Sequence, residues 1–176
     1  MEPEDLTRLV TRASAGDVKA FGVLVRALEP SLRGYIARLV GARPIVDDVL
    51  QETFLRLWRG LAWLRDPALI RPWSYRIATR ETQRAFGREL KREALRADAS
   101  ALEGIGADFT DPAVRLDIET CLPQLTPHAR IVLVAHYFEG LSLEEIASAT
   151  HAPLGTVKSR LASGLAQLRT VLGSSR

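Results

Sequence analysis

Cysteine is almost absent. Cys121 is the only one in 176 residues, so no internal disulfide can form, and no Cys/His cluster has the spacing of a zinc site. A lone cysteine of this kind is expected to be a small buried thiol. No window approaches 18 uninterrupted apolar residues, so no membrane-spanning helix is expected. The opening Met1-Glu2-Pro3-Glu4-Asp5 is acidic and has no apolar signal core, which points to the cytoplasm. The three histidines, His128, His136 and His151, fall in no triad or metal arrangement, and there is no Gly-rich phosphate loop, so catalysis is not indicated. No run alternates in the manner of a strand. The chain is nevertheless 47% apolar and 26% charged, too apolar for disorder, so its core has to be built from helices.

Acid is missing from the C-terminal segment. Residues 152 to 176 carry Lys158, Arg160, Arg169 and Arg176 with no Asp or Glu. Residues 71 to 96 hold eight Lys/Arg against three Glu, whereas residues 97 to 127 hold one Arg against six acids. Two basic segments separated by an acidic one suggest two contact points for nucleic acid, with a solvated charged face as the plainer alternative.

The apolar period predicts an all-α chain of two small helical domains. Residues 1–97 and 113–176 form the domains, and the acidic, glycine-containing stretch 98–112 forms a flexible linker. The first domain is expected to hold helices over about Pro3 to Ala13, one capped by Asp17 and one starting at Pro30. A fourth should run from Ile45 to Arg59, and a fifth from near Pro72 to about Ala97. In the second, helices are expected over Ala113 to Cys121, Pro127 to Phe138, Ser142 to Thr150 and Thr156 to Leu172.

Ser142 and Glu145 form a Ser-x-x-Glu capping box. His151 to Gly155 makes a short turn with Pro153 and Gly155 as chain breakers, and Thr156 is placed to cap the last helix. Val157, Leu161, Gly164, Leu165 and Leu168 share one side of that helix. Ser159, Ala162, Ser163, Ala166 and Gln167 point away from it, flanked by Lys158, Arg160 and Arg169. This is the layout of a helix-turn-helix, whose second helix enters a major groove N-terminus first. Lys158 and Arg160 could reach phosphate or guanine; Ser159 and Ser163 could hydrogen-bond weakly to bases or backbone. A helical hairpin that packs against another protein is the competing reading.

Three strings share a family likeness. Leu125-Thr126-Pro127, Tyr137-Phe138-Glu139-Gly140-Leu141-Ser142-Leu143-Glu144-Glu145-Ile146-Ala147 and Gly155-Thr156-Val157-Lys158-Ser159-Arg160-Leu161 together resemble the −35 reading domain of extracytoplasmic-function sigma factors, the small specificity subunits of bacterial RNA polymerase. Asp47 to Trp58 resembles that family's polymerase-docking helix, and Arg71-Pro72-Trp73-Ser74-Tyr75-Arg76-Ile77-Ala78 resembles the start of its −10 reading helix. The resemblance implies core RNA polymerase (the β′ clamp helices and the β flap), promoter DNA and an anti-sigma factor as partners, and no cofactor. It implies −35 contacts from Thr156, Lys158, Ser159, Arg160 and Ser163. It also implies that the segment Leu61 to Arg71 holds the loop that captures a flipped −10 base.

Helical spacing agrees with this assignment. Val46, Leu50, Thr53, Phe54 and Leu57 share a core side, leaving Asp47, Asp48, Gln51, Glu52, Leu55 and Trp58 on an acidic face with two apolar anchors, a composition suited to a protein interface. Arg76, Arg80, Arg84, Arg88 and Lys91 recur every three or four residues, a cationic stripe able to track a phosphate backbone. Trp73, Tyr75 and Ile77 are expected to pack rather than stack on bases. Two features depart from the family: Arg80 and Arg84 stand where an Asn and an Asp are usual, and the recognition helix continues with Ala162-Ser163-Gly164-Leu165-Ala166-Gln167 instead of further basic residues. The alanine-rich face motivates an alternative, a sigma-like protein-binding module that reads DNA weakly and acts as a decoy for an anti-sigma factor or polymerase.

Overall fold

A computed structural model describes residues 3–41, 44–85 and 118–174. The linker 98–112, the helix expected to begin at Ala113 up to residue 117, the extension of the basic helix to Ala97, and both Arg88 and Lys91 lie outside the described residues. Every described element is helical. The order is α1 (Pro3–Ser14), α2 (Val18–Val40), α3 (Ile45–Gly60), α4 (Ile70–Ala85), α5 (Pro127–Leu133), α6 (Leu143–Thr150) and α7 (Leu154–Ser174). Single 3-10 turns at Leu61–Trp63, Pro67–Leu69 and Leu122–Gln124 and a π-turn at Val134–Phe138 join them.

Local chemistry sets most of the boundaries. Asp17 caps α2 by accepting from the Ala20 N–H at 2.9 Å, and Arg12 clamps the same carboxylate at 2.6 Å. Those hydrogen bonds, the Ala20 amide first, hold the Asp17 carboxyl below its ordinary range. Gly41, at φ +78°, closes the other end.

Pro30 does not start a helix; α2 runs through it. The lost hydrogen bond and ring clash cost about 3 kcal/mol. Against this, Leu24, Leu28, Leu32 and Ile36 stay in phase across the proline and are all buried, each contributing roughly 1.5–3 kcal/mol. Packing outweighs the local penalty. Likewise α4 begins at Ile70, two residues before Pro72, which leaves that proline in the first turn where its missing N–H has no partner to lose.

α1, α3 and α4 pack around α2 and make the first unit, while α5, the π-turn, α6 and α7 make the second. The units also touch. α2 lies against α5 and the π-turn, α4 lies against α6, and the buried side chains form one continuous core from Val10 to Leu168.

Candidate DNA and protein-docking interfaces

The capping box forms as expected: the Ser142 hydroxyl accepts from the Glu145 N–H at 3.1 Å, and the Glu145 carboxylate accepts from the Ser142 N–H at 2.8 Å. α6 ends on His151 in the left-handed region, φ +52°, with the Ala152 N–H donating back to the Ala147 carbonyl at 3.2 Å. Two expectations for the turn need correction. Thr156 is not the cap of the last helix, and Gly155 is not a breaker. The Val157 N–H already donates to the Pro153 carbonyl at 3.1 Å, so the helical ladder starts before both. The left-handed His151 turns the chain within three residues and leaves Thr156 half-buried in the first turn of α7.

On α7, Val157, Leu165 and Leu168 are buried as the stripe requires. A Cβ at Gly164 would lie 3.3 Å from the Ala129 Cβ and 3.4 Å from its carbonyl, so the glycine marks the point where α7 crosses α5. That crossing changes the reading of the outward face. Gln167 does not point to solvent; its side-chain carbonyl accepts from the Thr126 N–H at 2.8 Å and so caps α5, while its amide donates to the Ser163 hydroxyl at 3.0 Å. Thr126 makes no side-chain cap of its own. Ser163 therefore joins a structural bridge. Lys158 and Ser159 are exposed, the Ser159 hydroxyl donating to the Thr156 carbonyl at 2.9 Å, and Arg160 is half-buried beside His128. Burial lowers the Arg160 pKa, and burial together with the Arg160 charge lowers that of His128.

The described part of the cationic stripe is not uniform. Arg76 is half-buried and donates to the Ser148 hydroxyl of α6 at 3.4 Å. Arg80 has no carboxylate within ion-pair range among the described residues. Burial, then the neighbouring Arg76 and Arg84, disfavour its charge. Arg84 is exposed and pairs with Glu81 at 3.2 Å. Glu81, almost fully buried, also receives Arg56 of α3 at 2.7 Å, without the alignment of a hydrogen bond. Sequence reasoning missed Glu81. It stands three residues before Arg84 and sits under the stripe, fastening α4 to α3. Trp73 packs on Gly60, where a Cβ would come within 3.0 Å of the ring, and Tyr75 and Ile77 are buried, so all three are packing residues as expected. Between the loop and α6, the residues Leu64, Leu69, Pro72, Trp73, Glu145 and Ser148 line a cleft of about 230 Å³, with Trp63 nearby in sequence and 84% exposed.

On α3, Asp47, Asp48, Gln51, Leu55 and Trp58 are exposed and Glu52 is half-exposed. Asp47 is held by Arg33 at 2.6 Å. The Trp58 ring rests on Phe21 of α2 with centroids 4.8 Å apart, so this exposed face of α3 has an aromatic support that the α3 sequence alone does not reveal.

Fold and site together give an all-helical arrangement with a helix-turn-helix whose last helix opens on the exposed Lys158, an arginine-bearing α4, and an acidic α3 face that carries Trp58. The family model for sigma-70 region 2 matches residues 24–92, and that for sigma-70 region 4 matches residues 115–168. RNA polymerase sigma-H factor from Pseudomonas aeruginosa is 33% identical over 88% of this chain and 86% of its own length. The ECF RNA polymerase sigma-E factor of Haemophilus influenzae is 29% identical over 87% of each. Among solved structures, CnrH in complex with the cytosolic domain of CnrY superposes with a TM-score of 0.68, at 25% identity over 98% of this chain and 99% of that one. Sigma factor RpoE, solved with the anti-sigma factor NepR from Bartonella quintana, shares the fold with a TM-score of 0.64, at 22% identity over 90% of this chain and 100% of that one. The chain belongs to the sigma-70 family of RNA polymerase sigma factors, in its extracytoplasmic-function group.

Proposed function

We propose that this chain directs promoter-specific initiation through two separate DNA contacts and one polymerase contact. The observation that carries the reading is the presence in one chain of an unobstructed basic start to α7, Lys158 and Ser159, and a second arginine-bearing helix, α4, in the other unit. In this reading residues 113–176 bind the −35 element, residues 1–97 bind and open the −10 element, and residues 98–112 join them. Lys158 and Arg160 neutralise phosphate or reach guanine, with Thr156 and Ser159 beside them; Ser163 acts by positioning α7. Arg80 is the cation of α4 most ready for a phosphate, because it is desolvated and lacks a carboxylate partner among the described residues. Arg76 and Arg84 flank it, and Arg88 and Lys91 extend the stripe by their spacing. Asp47, Asp48, Gln51, Glu52, Leu55 and Trp58 form the polymerase face.

The protein acts as a non-catalytic subunit in the cytoplasm, with an anti-sigma protein as a further partner. Among the described residues no helix is long and apolar enough to cross a membrane. The decoy reading is not favoured, because the chain matches the models of both sigma-70 region 2 and sigma-70 region 4. Run-off transcription with core polymerase tests the proposal: added chain should give discrete transcripts from genomic fragments. Recovery of polymerase by the chain, with no discrete transcript from any fragment, would restore the decoy.

A further inference from the structure

We infer that Gln167 is a positioning residue for promoter reading: from α7 it completes the N-terminal capping box that α5 lacks, and so fixes the rotation of the helix that carries Lys158 and Ser159. The inference rests on the sigma-factor reading above. α6 has a complete box of its own, in which Glu145, three residues after the Ser142 cap, takes the cap's N–H at 2.8 Å. In α5 the corresponding places hold Thr126 and Ala129, and an alanine side chain has no acceptor to offer. The Thr126 N–H donates to the Gln167 side-chain carbonyl instead, at 2.8 Å, across 41 residues of chain. The Gln167 amide donates to the Thr126 hydroxyl at 3.4 Å and to the Ser163 hydroxyl at 3.0 Å, so both polar ends of the side chain are used. Gly164 explains why the acceptor is not local. A Cβ there would lie 3.3 Å from that of the buried Ala129, so the crossing leaves no room for a glutamate or glutamine at position 129.

A side-chain hydrogen bond is directional, whereas the Val157, Leu165 and Leu168 contacts are apolar and favour no particular angle. Lys158 and Ser159 precede Gln167 by nine and eight residues, about 12–14 Å along the axis at about 1.5 Å per residue. Rotating α7 by about 20° would carry side chains about 5–6 Å from its axis sideways by about 2 Å. Hydrogen bonds to base edges tolerate only a few tenths of an ångström. Attraction to phosphate is spread over a Debye length of about 8–10 Å. A lost cap therefore lowers base discrimination and leaves the phosphate attraction nearly intact. That separates a positioning role from a merely stabilising one.

The test compares binding of the full chain with core polymerase to two fragments: a promoter from which the native chain initiates, and the same fragment with its distal motif scrambled. Both are titrated with salt, well below the melting temperature of every variant. Gln167→Met keeps the length and loses the hydrogen bonds. It should lower discrimination between the fragments about fivefold or more, the worth of one base contact, with the salt slope unchanged. Gln167→Glu keeps an acceptor for the Thr126 N–H, at a helix N-terminus that favours negative charge, and should restore most of the native ratio. Discrimination is a ratio at one salt concentration, so repulsion between the new carboxylate and DNA cancels. If Gln167→Met weakens binding to both fragments by one factor, or changes nothing, Gln167 only stabilises the unit and the inference is overturned. A Gln167→Glu chain that discriminates as poorly as Gln167→Met would overturn it too. A native chain that treats the two fragments alike would instead sink the −35 reading, and the positioning role with it.

Discussion

Lys158 and Arg160 are two residues apart, yet they occupy different environments, and the difference is measurable. Lys158 is exposed, so Lys158→Ala should weaken promoter binding across sequences and reduce the salt slope of log K by about one. An unchanged affinity and slope in a salt titration would mean that this helix does not face DNA. Arg160 is half-buried against His128, whose Nδ1 is buried with no hydrogen-bond partner among the described residues. The folded state lowers the His128 pKa below 6.5, so the unfolded chain takes up the proton first. This contribution to stability is complete above pH 6.5 and declines as pH falls from there through the depressed folded value. His128→Gln should flatten that part of a melting-temperature profile between about pH 7.5 and 5; an identical profile would show that His128 is not the group responsible. The sequence places both residues on helices, since helical period is a local property. It does not bring them together, because that depends on how closely α7 crosses α5. Glu81 escaped for the same reason: nothing local distinguishes a buried glutamate beneath a basic stripe from an exposed one.

At the scale of elements, patterns that are complete within a few residues are legible, and patterns that need a partner are not. The capping box at Ser142 and Glu145 is contained in four residues and forms as read. The helix break at Pro30 does not occur, because a stripe of buried leucines continues past it and outweighs one proline. The π-turn at Val134–Phe138 has no local signal, although it brings Glu139 to the interface. Gly164 looks like a weak point in an isolated helix and is instead the crossing point of two. Gly164→Val should therefore destabilise the second unit by about 1–3 kcal/mol through overpacking, read by denaturant unfolding. A stabilisation of about 0.5–1 kcal/mol would show that helix propensity governs the site. On α3, Trp58→Ala should weaken polymerase binding by about 2 kcal/mol, the loss expected of an aromatic anchor, roughly thirtyfold in Kd. The fold should survive, with a loss near 1 kcal/mol from the Phe21 contact. Global unfolding would instead place Trp58 in the core.

At the scale of the whole molecule, charge distribution along the chain separates two basic regions by an acidic one, and that is enough to suggest two contacts with one long polymer. It does not show that the two units pack on each other, since Arg38, Tyr75 and Glu139 are distant in sequence and none belongs to a recognisable pattern. The account therefore joins a packing that only the fold displays to a reading that composition supports, in which one chain bridges two separated sites on DNA. The measurement that bears on this most directly is transcript 5′-end mapping on whole genomic DNA with core polymerase, with and without the chain. The account predicts chain-dependent start sites that share two upstream motifs at a nearly constant separation, with Lys158→Ala weakening dependence on the distal motif alone. Start sites that share only one motif, or none that require the chain, would contradict it.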